Sequence, residues 1–166
     1  MQRTIDALQG TAAFAGISDE ALTFLLDRAR TIHVPEGHVF FREGEHGDTF
    51  FLITEGRVEI YKQRGDVRRE VGVLGEGDCF GEMALLAVAT RSANVVATAP
   101  CVCLELSNRA LFELYSTDVG QFALIVMNLG REVARRLRDL NERLLSQEVT
   151  RVHTLRAIPR PVIDKS

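Results

Sequence analysis

Between Thr31 and Leu106 the apolar positions abandon helical spacing for short runs punctuated by glycine, and that change divides the chain into three parts. Ahead of it, Ala21, Leu22, Leu25, Leu26 and Ala29 recur at helical spacing behind Ser18, a good N-cap, with Asp19 and Glu20 in the first turn. A short amphipathic helix is predicted there. Next come β-rich runs at Ile32 to Val34, Val39 to Phe41, Thr49 to Thr54, Val58 to Lys62 and Val67 to Leu74. The turns between them contain Gly37, Gly44, Gly47, Gly56, Gly65 and Gly75-Glu76-Gly77-Asp78. Ala93 to Ala99 and Cys101 to Leu106 add two strands split by Pro100, which cannot donate to a central ladder. About eight short antiparallel strands with glycine-rich turns predict a double-sheet jelly roll, mainly β with flanking helices.

Behind the strands, Ser107 caps a short helix through Tyr115, and a second helix begins near Asp118 and runs to about Gln147, roughly 45 Å at the usual rise. It carries Val126, Val133, Leu137, Leu140 and Leu144 on a near-heptad stripe interrupted by Gly130. Such a stripe suits a homodimer through this helix, the alternative being packing on its own β-roll. Arg131, Arg135, Arg136, Arg138 and Arg143 surround the stripe, but Glu132, Asp139 and Glu142 intersperse them at pairing distances. That makes a solvated face, not a DNA-binding segment. The predicted organisation is a helical lead-in over 1–30, a β-roll over 31–107, C-terminal helices over 108–149 and a tail or linker over 150–166 that ends among Pro159 and Pro161. No helix-turn-helix or kinase pattern follows, so the expected output is an effector protein or an effector domain missing from this sequence.

Composition narrows the function. A chain of 166 residues with 46% hydrophobic and 26% charged residues can bury one core, and no apolar run is long enough to span a membrane. The first twenty residues lack the basic start and apolar stretch of a signal peptide, so the expected location is cytoplasmic. Cys79, Cys101 and Cys103 read as small apolar residues of a reduced protein, since two sulfurs at i and i+2 cannot close a zinc site. A net charge of -3 argues against nucleic acid. His33, His38 and His46 lack the clustering of a jelly-roll metalloenzyme, and no Ser/His/Asp or Cys/His set stands out. The expectation is a non-enzyme with no catalytic cofactor and no metal.

The chemistry concentrates in Phe80-Gly81-Glu82-Met83-Ala84-Leu85-Leu86 and Thr90-Arg91-Ser92-Ala93. Gly81 lets backbone approach a ligand, the following residues favour a helix start whose N–H groups suit an anion, and Arg91 offers a planar fork to phosphate oxygens. Glu82 only accepts hydrogen bonds, which suits a sugar 2′-hydroxyl. Ser92 can add a hydroxyl, and Ala93 keeps the wall small. The parts fit a cyclic phosphodiester; the plain alternative is a structural Glu82–Arg91 ion pair, though a buried pair is a poor source of stability.

These residues resemble the phosphate-binding cassette of cyclic-nucleotide-binding domains, over residues 80–94. Phe41-Arg42-Glu43-Gly44, Gly47-Asp48, Phe50-Phe51-Leu52-Ile53 and Glu55-Gly56-Arg57-Val58-Glu59-Ile60 resemble the family's first strands and turns, and Phe14-Ala15-Gly16-Ile17-Ser18 its lead-in helix. The likeness spans roughly residues 10 to 147. It implies the double-stranded β-helix fold of the sensor domains of bacterial cAMP-dependent regulators, cyclic-nucleotide-gated channels and kinases, with ligand held by Gly81, Glu82, Met83, Ala84, Arg91, Ser92 and Ala93. Thr90 stands where proline is frequent, and Ala87-Val88-Ala89 replaces a loop that often holds glycine or charge. Ala134-Arg135-Arg136-Leu137 is similar to a segment of the bacterial regulators, which implies base or lid roles for Arg136, Leu140 and Asn141; of the last two only Asn141 can hydrogen-bond a base. Ser92, where members preferring cGMP often carry threonine, favours cAMP, with cGMP the alternative. The resemblance implies a sensor whose ligand repositions the last helix; the rival is a nucleotide-independent β-roll adaptor working through protein contacts.

Overall fold

The computed structural model describes residues 2–87 and 90–156, without the side chains of Arg3, Ala84, Leu85, Ala87 and residues 147–156. Helices α1 (Gln2–Gln9) and α2 (Asp19–Leu26) precede β1 (Arg30–Val34), β2 (Val39–Phe41), β3 (Thr49–Glu55), β4 (Val58–Arg64), β5 (Val67–Leu74) and β6 (Cys79–Phe80). Short α3 (Glu82–Ala87) is followed by β7 (Asn94–Ala97), β8 (Cys101–Ser107), α4 (Asn108–Thr117) and α5 (Val119–Arg156). The strands form two antiparallel four-stranded sheets, ordered β1-β8-β3-β6 and β2-β7-β4-β5. This is the predicted double-sheet roll.

The two sheets face each other across Phe41, Phe51, Ile53, Val58, Phe80, Val95, Cys101 and Cys103. On the opposite side of the first sheet, Phe50, Leu52, Leu104 and Leu106 pack against helical residues that include Leu22, Leu25, Leu111, Leu114, Ile125 and Leu129. Strand β3 is therefore buried on both faces, which is why Phe50 to Ile53 reads as an unbroken apolar run. Strand β5, at the edge of the other sheet, instead shows Arg68, Arg69 and Glu70 to solvent. All three cysteines are free and buried, and burial pushes the Cys103 thiol up to about 12.

Local capping follows the sequence. Ser18 Oγ accepts from Ala21 N at 3.2 Å, Ser107 Oγ from Ala110 N at 3.1 Å, and Asp118 Oδ1 from Gln121 N at 3.0 Å. The lead-in differs from the family-based expectation: Phe14 to Gly16 is a turn, and the helix lies earlier, at α1. Gly16 at φ 75° takes the backbone out of helical geometry, while Phe14 and Ile17 plug the core at 1% exposure each. Asn128 of α5 fixes that turn by donating to the carbonyls of Ala13 at 3.3 Å and Ala15 at 3.0 Å.

Two further differences concern element ends. Strand β6, pairing with Phe51 and Leu52 of β3, has too few residues to leave a periodic signal. Helix α5 passes the expected end near Gln147 to reach Arg156, because after Gly130 no glycine or proline occurs before Pro159. Residues 157–166 of the expected tail lie outside the described residues. The chain divides into two compact units, Met1–Val133 and Ala134–Ser166, so α4 and the first part of α5 belong with the strands. No described helix is long and apolar enough to cross a membrane.

Candidate functional site

Arg91 enters the roll through its backbone. Its N–H donates to the Glu45 carbonyl at 2.8 Å, and its own carbonyl accepts from Gly44 N at 2.9 Å, so the loop after β2 holds the chain just ahead of β7. That loop is itself pinned. Glu43 N donates to Asn94 Oδ1 at 3.2 Å, and the Glu43 carboxylate accepts from Lys62 Nζ at 2.9 Å and from Arg64 Nη1 and Nη2 at 3.0 and 2.9 Å. Asn94 Nδ2 in turn donates to the Tyr61 carbonyl at 3.2 Å.

The hydrogen bonds from Arg64, reinforced by Lys62, hold the Glu43 carboxyl down at about 2 from an ordinary 4.5. A carboxyl lowered on folding stabilises the fold above its unfolded pKa and loses that contribution as pH falls through its folded value. The difference in thermal midpoint between the parent and Glu43→Gln is therefore expected to be constant above about pH 5 and to shrink between pH 4.5 and about 2. A difference that stays flat across that window would show that the Glu43 charge does not hold the loop.

The Arg91 side chain is 5% exposed. Burial pulls its pKa below the usual arginine range, opposed by the more distant carboxylates of Asp48, Glu45, Glu82 and Glu105. Among the described residues none of these forms an ion pair with it. Its guanidinium is instead fixed by neutral acceptors: Nη1 donates to the Thr49 carbonyl at 2.7 Å and the Gly81 carbonyl at 3.0 Å, and Nη2 to Thr49 Oγ1 at 3.1 Å. Nε is buried and, among the described residues, has no hydrogen-bond partner. Since each Nη carries two hydrogens, the Nε–H and one Nη2–H are left over among the described residues, and Nε and Nη2 share the edge of the guanidinium that can engage an oxyanion as a fork.

Gly81 closes β6 at φ 85°, and a Cβ there would stand 2.7 Å from Arg91 Nη1. The turn leads into α3, whose first residue, Glu82, is 4% exposed. Met83 is 45% exposed, and its sulfur accepts from Ser92 Oγ at 3.3 Å. Ala93 is buried. Gly81, Glu82, Met83, Arg91, Ser92 and Ala93 thus flank one turn and one strand entrance. The backbone of Ala84 lies in α3, its side chain and residues 88–89 lying outside the described residues. Arg136, Leu140 and Asn141 are carried by α5 within the second unit.

Sequence reasoning missed three neighbours of Arg91. Thr49 supplies two of its acceptors, and the Phe41 ring lies 4.1 Å from its guanidinium carbon. Gly47 gives it room: a Cβ on Gly47 would overlap Nε and the guanidinium carbon. A strand-forming threonine, a core phenylalanine and a turn glycine carry no signal for such roles. Among the described residues no group of three or more His, Cys, Asp or Glu side chains could hold a metal ion.

Comparison with known proteins gives the context. Over 147 residues, 87% of this chain and 66% of the relative, the sequence is 33% identical to the cyclic AMP receptor protein of Thermus thermophilus. It is 37% identical to a cGMP-dependent protein kinase of Caenorhabditis briggsae over 100 residues, 59% of this chain and 13% of the kinase. The crystal structure of the Thermus thermophilus catabolite activator protein matches with a TM-score of 0.68 at 32% identity, covering 82% of this chain and 63% of that one. The chain thus spans less than two thirds of the length of these relatives. The family profile described as "Cyclic nucleotide-binding domain" matches residues 31–118, and with the roll around Arg91 this shows that the chain belongs to the cyclic nucleotide-binding domain family.

Proposed function

We propose that this domain is a non-catalytic cyclic-nucleotide sensor that binds cAMP in the turn between β6 and β7. The observation that carries this reading is the buried Arg91, whose Nε lacks a partner among the described residues while its other donors fix its orientation. Arg91 takes the cyclic phosphate, Ser92 adds a hydroxyl, and Glu82 accepts from the ribose 2′-hydroxyl. Gly81, Met83 and Ala93 form the surrounding wall, with the backbone of Ala84. Ser92 favours cAMP over cGMP, and similarity to a cyclic AMP receptor protein over most of the chain supports that choice. Similarity to a cGMP-dependent kinase keeps cGMP as the competing ligand.

Binding acts as a two-state switch in which α5 closes as a lid, with Arg136, Leu140 and Asn141 turned to the base. The ligand shifts that equilibrium only by its differential affinity for the two arrangements. Exposed Leu137, Leu144 and Leu145 on α5 support pairing with a second copy. The output passes to an effector protein or to an effector segment of a longer chain, in a cytoplasmic setting.

The test is calorimetric titration of cAMP and cGMP into protein refolded to strip any carried-over ligand, with hydrogen exchange followed along α5. Expected are saturable binding, tighter for cAMP, and slower exchange in α5 when ligand is bound. No heat with either nucleotide from folded protein would overturn the sensor reading. Binding without any change in α5 would leave a buffer and remove the switch.

A further inference from the structure

We propose that Phe41 is a positioning residue for the ligand, its ring a cation–π support that sets nucleotide affinity by holding the Arg91 guanidinium in place. This rests on the assignment of Arg91 to the phosphate. The guanidinium carbon lies 4.1 Å from the Phe41 ring centroid, and both side chains are buried, at 8% and 5% exposure. Among the described residues Arg91 forms no ion pair, so beside its three neutral oxygen acceptors the negative face of the ring is what directly offsets the charge of a desolvated cation.

The ring is itself held in place. Phe41 pairs with Val95 across β2 and β7, and its ring packs at 6.3 Å from Phe51 and 6.0 Å from Phe80. Thr49 and Gly81 hold the guanidinium by hydrogen bonds to Nη1 and Nη2, and the Phe41 ring beneath its central carbon holds the same group from the side of the ring. With both restraints the Nε and Nη2 edge keeps one direction before a phosphate arrives, so less orientational freedom is lost on binding. An aliphatic side chain of the same bulk would fill the space without attracting the charge.

The experiment separates charge from shape. Phe41 is replaced site-specifically by phenylalanines carrying one, two and three ring fluorines, which withdraw π density at nearly constant size. The same series is placed at Phe51, a neighbouring ring in the cluster. cAMP affinity is measured for each by calorimetry. Expected is a stepwise loss with each fluorine at Phe41, reaching about threefold to tenfold, with no trend at Phe51. A flat Phe41 series in a protein that binds cAMP would overturn this inference and leave the sensor reading standing. An equal slope at Phe51 would also overturn it, as an effect of packing. If the parent binds neither cAMP nor cGMP, both readings fall together.

Discussion

Gly47→Ala is expected to cost as much nucleotide affinity as removal of Arg91 itself, roughly 2 to 5 kcal/mol, in a protein that still folds. Gly47 is not one of the positive-φ glycines, so its backbone accepts alanine. The new methyl would occupy the place of the guanidinium, and what it meets is the far end of a flexible side chain. The fold survives because that end can move. Once moved, Arg91 loses its bonds to Thr49 and Gly81, and its free edge no longer faces the ligand. Titration of the parent, Gly47→Ala and Arg91→Ala side by side, each with a thermal melt, gives the check. Parent-like affinity in Gly47→Ala would mean that Arg91 does not act from the position described.

The same methyl at Gly56 is expected to act on stability. Gly56 sits at φ 94° in the turn between β3 and β4, where a Cβ is strained whatever the space. It would also overlap the Pro100 carbonyl and stand 2.7 Å from Cys101 Sγ and 2.9 Å from Cys101 Cα. Backbone cannot step aside as a guanidinium can. Strain of about 1 to 2 kcal/mol and overpacking of about 1 to 3 combine to a loss of roughly 2 to 5 kcal/mol for Gly56→Ala. Denaturant unfolding should show the midpoint falling with an unchanged slope. A loss below about 1 kcal/mol would show that the two turns separate at little cost.

The contrast between these glycines marks how far the sequence could be read. Gly81, Glu82 and Arg91 stood out as candidates because the proposed phosphate reader needs those residue types close together in the chain. The strands were legible because each apolar run ends at a turn residue, as Phe50 to Ile53 does before Gly56. Phe41, Gly47 and Thr49 were not, since their contacts with Arg91 join positions more than forty residues apart. Helix α1 offered only Ile5 and Leu8 as buried apolar positions, too few to set a period. Gly47 and Gly56 look alike in a string of letters; what separates them is whether side chain or backbone lies opposite.

The order of the strands also bears on how the chain can be built. Among the described residues, β1 pairs with β8 alone and β2 with β7 alone, while β4 and β5 form a local hairpin. As the polypeptide leaves the ribosome, β1 has no partner until Cys101–Ser107 has been made, and one edge of β3 waits for the same segment. The apolar run from Phe50 to Ile53 therefore spends much of synthesis without the strand that completes its sheet. A chain cut short before Cys101 would carry the hairpin and an open edge on β3, a template for pairing with other chains.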